Sequence, residues 1–326
     1  MIGQAIGVIV NLFRFHKLKM LAVFVLSLLF FIANFPQEDL SDWVSAKATQ
    51  ATGTYMQFDR MGINLIPSPG ITVEDAVIEP MALPAIEAKK LDAAVSVMSA
   101  LTAKLAVTAD LQGIFKGDVN LDFAQAGGNM NNIAIGASGI NLEDVSGFIR
   151  KGNLMQPALA LEGGLNLNTD LKVDHTFEQQ PSGTIGADIK AFKIPGQTIM
   201  IDFNGVPVPM PLPALDIGAV NLKAKMGDGQ MDIEQMKFGG PNSDLKGTIK
   251  GTVKMNLVRG PAGAIPVIND YNLNIDITAA KSFLNSDMGK SMTLFLGSKV
   301  KKDDANETQY AFALRLDPNS RQPVVQ

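Results

Sequence analysis

Between Leu245 and Leu257 the chain alternates with a strict period of two. Leu245, Gly247, Ile249, Gly251, Val253, Met255 and Leu257 take one side, and Lys246, Thr248, Lys250, Thr252, Lys254 and Asn256 take the other. Successive side chains point to opposite faces only in a β-strand, so this stretch reads as strand. At 3.3 Å per residue it runs roughly 40 Å, about twice the usual strand length. Its apolar face is interrupted by glycine and its other face is wet. Glycine relieves crowding on a concave surface, so the stretch reads as one rib of a curved sheet.

The same period recurs along most of the chain. In residues 109–123, Phe115, Gly117, Val119, Leu121 and Phe123 alternate with polar residues, which predicts one strand. Residues 163–173 alternate through Leu165, Leu167, Leu171 and Val173, and 219–238 read as a hairpin with Gly-Asp-Gly at its turn. Residues 89–101 predict a strand running into a turn or short helix, and 271–279 and 310–316 predict further strands. Short helices are expected within 139–152 and 281–297. Prolines 207, 209, 211 and 213 remove ladder donors, so 203–218 is expected as an extended loop or an edge. Residues 37–53 predict a connecting helix: acidic residues fill its first turn, Gly53 ends it, and Leu40, Trp43, Val44 and Ala48 mark one face. The expected fold class is mainly β, a long, curved, largely antiparallel sheet, groove-like or sandwich-like, with a few short helices. The expected divisions are 1–36, a lead-in and anchor; 37–53, the helix; 54–318, the β-rich domain; and 319–326, a frayed tail.

The anchor is read from LKMLAVFVLSLLFFIANF, residues 18–35. As a helix it covers about 27 Å, close to the hydrocarbon thickness of a bilayer. Leu21, Val25, Leu28, Leu29, Phe30 and Phe31 supply its apolar surface. Arg14, Lys17 and Lys19 form a basic flank on the N-terminal side, and Glu38, Asp39 and Asp42 follow. That asymmetry places the N-terminus in the cytoplasm and everything after residue 36 across the membrane. A cleaved signal peptide fits less well, because Phe31 and Ile32 stand where a small residue should precede Ala33. Ile2, Ile6, Ile9 and Phe13 recur at helical spacing, as in an amphipathic lead-in on the inner membrane face.

Composition and motifs argue against catalysis. The net charge is −4, which gives a nucleic-acid partner no support. Cysteine is absent, excluding disulfides, thiolate chemistry and cysteine metal sites. Of the two histidines, His16 lies in the basic flank and His175 stands near Asp174 and Glu178 without ligand spacing. Met-Gly-Lys-Ser at 288–291 resembles the end of a phosphate loop, but Leu284 occupies the position that needs glycine. No nucleophile elbow is present. No enzyme, cofactor or metal is therefore expected. A membrane β-barrel is disfavoured, since three Tyr and one Trp are too few for two aromatic girdles.

The order of these segments resembles a family. A membrane helix with a basic flank is followed by FPQEDLSDWVSAKATQATG, then PSPGITVEDAVIE, KKLDAAVSVMSAL, LQGIFKGDVNLDF, GINLEDVSGF and GGLNLNTDL. The cluster LDIGAVNLKAKMGDGQMDIEQMKFGGPNSDLKGTIKGTVKMNL closes the series. This succession, over about residues 18–285, resembles the type II secretion system protein N family, which is related to AsmA-like periplasmic bridge proteins. The resemblance implies a single-pass bacterial inner-membrane protein with its bulk in the periplasm. It implies work by contact with other secretion-system proteins, and alternatively an apolar β groove that binds or transfers lipid. It carries no catalytic residue. The groove face expected from the alternation comprises Phe115, Gly117, Val119, Leu121, Leu245, Gly247, Ile249, Gly251, Val253 and Met255.

Overall fold

The computed structural model of the chain describes residues 23, 26, 27, 30, 37–52, 54–64, 68–79, 84–96, 99, 102, 104–152, 159–176, 178–203, 206–241, 243–260, 263–316 and 323–326. It is mainly β, as the alternation predicts. One antiparallel sheet of 15 strands dominates, and a separate two-stranded hairpin stands off it.

The strands are β1 (Tyr55–Asn64), β2 (Gly70–Glu79), β3 (Ile86–Val95), β4 (Ala106–Ile114), β5 (Gly117–Gly127), β6 (Met130–Asn141), β7 (Glu162–Asp174), β8 (Ser182–Ile194), β9 (Gln197–Phe203) and β10 (Val206–Leu212). They continue with β11 (Leu215–Gly227), β12 (Gln230–Phe238), β13 (Leu245–Gly260), β14 (Gly263–Ala280), β15 (Val300–Asp303), β16 (Glu307–Leu316) and β17 (Pro323–Val325). Neighbours in sequence are neighbours in space from β1 to β8 and from β11 to β14. The β9–β10 hairpin loops out between β8 and β11, and β16 pairs with β14, β15 and β17. Local turn chemistry drives this meander. At the β11–β12 turn Asp228 and Gly229 both hold positive φ, +50° and +73°, the conformation that matches the twist of a tight hairpin.

Register aligns the apolar positions. Paired residues share a face, so a row can be followed from strand to strand. Met61, Val73, Leu91, Leu111, Val119, Ala137 and Leu167 are paired in succession. The row continues through Ala187, Leu222, Met236, Ile249, Ile275 and Phe312. It takes one residue from each of β1–β8, β11–β14 and β16. A parallel row runs through Ile63, Ile71, Ala93, Ala109, Leu121, Ile135, Thr169, Ile185, Ala224, Ile233, Gly251, Leu273 and Leu314. A bulge in β12 between Ile233 and Met236 separates the two rows, and β6 gains a residue beyond them, between Ala137 and Ile140.

Four α-helices have both ends among the described residues, α1 (Gln37–Thr52), α2 (Leu142–Lys151), α3 (Lys281–Leu284) and α4 (Asp287–Leu296), and a 3-10 turn, Gly297–Lys299, follows α4. Asn141 caps α2 through the Asp144 amide and Ser286 caps α4 through the Gly289 amide. β6 runs into α2 and β14 into α3 at one end of the sheet, which we term the helix end. The β9–β10 hairpin leaves β8 at that same end, since β8 and β11 pair there through Ile194 and Leu215. The fully buried core is small and split. Met61, Val73, Ala76 and Ala88 pack under Leu40 and Val44 of α1. Leu215, Ile217 and Val220 pack with Phe283, and Ala279 and Tyr310 pack with Leu296 and Met292 of α4.

Several expectations change. Residues 109–123 are not one strand but the β4–β5 hairpin. Phe115 and Lys116 form its turn with φ of +46° and +63°, held by Phe148 and Asp144 of α2. The proline-rich stretch, expected as an extended loop or an edge, is β10, and of those two it is the edge, since β10 pairs with β9 alone. Trp43 does not share the packed face of α1 and is 61% exposed. The tail expected to fray contains β17, paired with Leu314–Leu316. Of the anchor positions, Phe30 is described, helical and 71% exposed. Leu21, Val25, Leu28, Leu29, Phe31 and the flank residues Arg14, Lys17 and Lys19 lie outside the described residues. Among the described residues no helix is long and apolar enough to cross a membrane.

Candidate ligand-binding face

Among the described residues the apolar rows are an extended feature that no second layer completes. Leu111, Val119, Leu121, Ile135, Leu167, Leu222 and Ile249 are each half-buried rather than buried. Helix packing accounts for only part of the face. α1 packs on β1, α2 on β6 and β7, and α3 on β14, and among the described residues no second sheet lies across the rows. A soluble sheet with one polar face normally buries the other against another layer. Among the described residues the layer is present at the β1 edge and the helix end and absent between them.

The register brings most of the sequence-predicted groove residues to this face. Val119 and Ile249 share the first row, and Leu121 and Gly251 share the second. Val253 lies in a third row with Met231 and Tyr271, and Gly247 pairs with Phe238 and Ile277 nearer the helix end. Leu245 packs against the same buried cluster, Ala279, Leu296 and Tyr310, as Phe283 of α3, and Met255 pairs with Ile268 beyond a bulge. Phe115 leaves the face, because it is a turn residue whose ring stands edge-on to Phe148 at 5.6 Å. Gly117 lies at the closed end, where an added Cβ would stand 2.5 Å from the Ser138 carbonyl oxygen.

The glycines are not open holes. At Gly247 an added Cβ would strike the Asp276 carbonyl oxygen and come 2.6 Å from the Phe238 ring, so backbone and ring together fill the space. Gly251 has φ +143°, and a Cβ there would strike the Asn272 carbonyl oxygen. Its role is backbone geometry, which the alternation alone could not distinguish from relief of crowding.

The opposite face is polar in the same registered way. Thr72, Asp92, Asp110, Asn120, Gly136 and Asn168 form one row. A cavity of about 430 Å³ lies over it, between Asp92 and Asn168. At Asp92 burial works to raise the pKa, but hydrogen bonds from Lys90 and Thr72 outweigh it and hold the carboxyl below its ordinary value. His175 hydrogen-bonds the Asn129 carbonyl through Nδ1 and is exposed. Its neighbour Asp174 is buried and accepts from the Thr176 hydroxyl and from the amides of Thr176 and Gln179. Those bonds, the Thr176 hydroxyl first, lower its pKa. This is a satisfied turn, with its acceptors already used. Among the described residues no group of carboxylates and histidines has metal-binding geometry.

The two sheet edges differ. At β1, α1 aligns Ser41, Ser45 and Thr49 at helical spacing along the strand. Ser41 donates to the Asp59 carbonyl, and Ser45 and Thr49 accept from the amides of Phe58 and Met56. This caps the first half of the edge, Met56–Asp59, with side chains. At the other edge β15 is short, fully exposed and reads Val-Lys-Lys-Asp. Sequence inspection missed the α1 device, although the Ser-x-x-x-Ser-x-x-x-Thr spacing could have signalled it.

No family model, curated protein or solved structure matches the chain.

Proposed function

We propose that this chain is a membrane-anchored, non-enzymatic module that holds acyl chains of lipid against its apolar sheet face. The carrying observation is the registered row from Met61 to Phe312, apolar in every strand and half-buried through its middle. A continuous apolar strip suits a long flexible ligand better than a compact one. The AsmA-like side of the resemblance points the same way. The anchor belongs to this proposal. In the apolar run Val23, Leu26 and Phe30 are helical and 58%, 64% and 71% exposed, which suits contact with lipid. With its basic flank inward, the bulk of the chain would stand in the periplasm as a curved trough.

A photo-crosslinking side chain in the full-length chain tests the reading. At position 121, in the middle of the face, it should capture phospholipid during expression. At Asp122, on the opposite face, it should not. Equal capture at the two positions, or none at 121, rejects the acyl-chain reading.

A second reading is that the chain is a component of the type II secretion system acting through protein contacts. The asymmetry of the edges favours it, since α1 caps the first half of β1 and strand addition is easier on the β15–β16 side. Protein rather than lipid captured at position 121, or at Lys302 on β15, would support it.

A further inference from the structure

The polar face of the sheet carries its two signs of charge in separate halves. Three adjacent rows cross it from β4 to β13. Over β4–β8 their charged residues are Asp110, Asp118, Asp122, Asp170 and Asp188, with no lysine or arginine among them. Over β11–β13 they are Lys223, Lys225, Lys237 and Lys250, with Asp232 as an acid. Lys225 is paired with Glu234 of the β12 bulge, and Asp232 accepts from the Gln230 amide group. Among the described residues none of the five aspartates, and none of Lys223, Lys237 and Lys250, makes an ion pair. A face that met only water would gain from interspersed signs, since each half here repels itself.

A second copy of the chain would cancel both fields at once. Two sheets stacked by the same face are related by a twofold axis in the plane between them. An axis along the strands, over the β8–β11 seam, lays the acidic half of each copy on the basic half of the other. An axis across the strands lays acid on acid. Ala134 and Gly136 on β6 and Thr184 and Gly186 on β8 are small, so the two backbones can approach near the seam. The anchor selects the same axis. α1 runs antiparallel to β1, from Ser41 beside Asp59 to Thr49 beside Met56, so its start points away from the helix end. An axis along the strands keeps both α1 starts at one end, where a single bilayer can hold both anchors. The other axis sets them at opposite ends.

We infer that the polar face docks on the polar face of a second copy, acidic half to basic half, in a twofold dimer whose axis runs along the strands. The charges carry this inference without the acyl-chain reading, and only the argument from the α1 starts rests on the proposed anchor. The eight strands span roughly 34 Å and the three rows with their side chains about 18 Å, giving about 600 Å² per copy. The total, roughly 1,200 Å², is at the low end for a specific interface. Exposed ion pairs are individually weak and screened, so the dimer is weak and salt-sensitive.

Sedimentation of the full-length chain in nonionic detergent tests it. The expected result is a dimer in low salt and a monomer in about 1 M salt, where the Debye length is about 3 Å. Asp110→Lys, Asp122→Lys and Asp170→Lys together turn the face basic, and Lys223→Glu, Lys237→Glu and Lys250→Glu together turn it acidic. Each triple variant alone should be monomeric with an unchanged circular dichroism spectrum, and an equimolar mixture of the two should regain the dimer. A folded parent chain that stays monomeric in low salt overturns the inference and leaves the face to a different protein. A dimer that survives salt and both reversals, as association through the anchors would, also overturns it, as does a folded mixture that fails to pair. A second measurement keeps the parent charges. The chain has no cysteine, so Thr184→Cys, exposed beside the axis, should be joined to its own copy by a short bis-maleimide in low salt. Gln112→Cys, exposed on the same face four strands away on β4, should not. Any other pattern at these two positions overturns the axis.

Discussion

At the scale of single residues, geometry assigns different work to side chains that look alike in sequence. Gly247 and Gly251 both lie against a carbonyl oxygen of β14, but Gly247 also meets the Phe238 ring, whereas Gly251 holds a φ of +143° inside β13. Gly251→Ala should therefore cost about 1–3 kcal/mol through backbone strain, seen as a lower Tm. An unchanged Tm would mean that the strand relaxes around the new methyl group. Asp174 offers a pH test. Its folded pKa lies below the ordinary value, so its contribution to stability is present above the unfolded pKa of about 3.9 and is lost as pH falls through the folded one. Asp174→Asn should flatten the acid limb of a plot of Tm against pH while leaving its neutral region nearly flat. Curves that stay parallel down to strong acid would show that Asp174 contributes nothing to that limb. Neither role could be read beforehand, because both depend on which backbone atoms approach from another strand or around a turn.

At the scale of elements, much was legible. Period-two alternation located β7, β11, β12 and β13, and the Gly-Asp-Gly turn was found where Asp228 and Gly229 take positive φ. The hairpin at Phe115–Lys116 escaped, because neither residue type favours the left-handed region and the apolar alternation runs through the turn unbroken. α2 supplies what the turn lacks, a ring for Phe115 and a carboxylate for Lys116. α1 likewise acts as an edge cap rather than as a plain connector. Replacing Ser45 and Thr49 by alanine should cost about 1 kcal/mol each and speed hydrogen exchange at the Phe58 and Met56 amides. Exchange at those amides matching the parent chain would show that water substitutes for the hydroxyls at no cost.

At the scale of the whole molecule, the question is whether the apolar face is a core or a surface. Ala137 sits in the middle of the first row, between Val119 and Leu167, and distinguishes the two. If the face is open, Ala137→Trp should leave Tm nearly unchanged and displace bound acyl chains. If the face is covered, overpacking should cost about 1–3 kcal/mol. The sequence by itself determined the strands and their two-faced character, because a period of two is a local property of extended backbone. It also determined the absence of cysteine chemistry and the apolar character of residues 18–35. Only tertiary structure decided that the apolar faces meet in one registered row, since register depends on turn lengths and on bulges such as those in β6 and β12. It alone decided that α1 caps half of one edge and that a proline-edged hairpin projects from the helix end. Those outcomes rest on contacts between residues distant in the chain, and no local pattern encodes them.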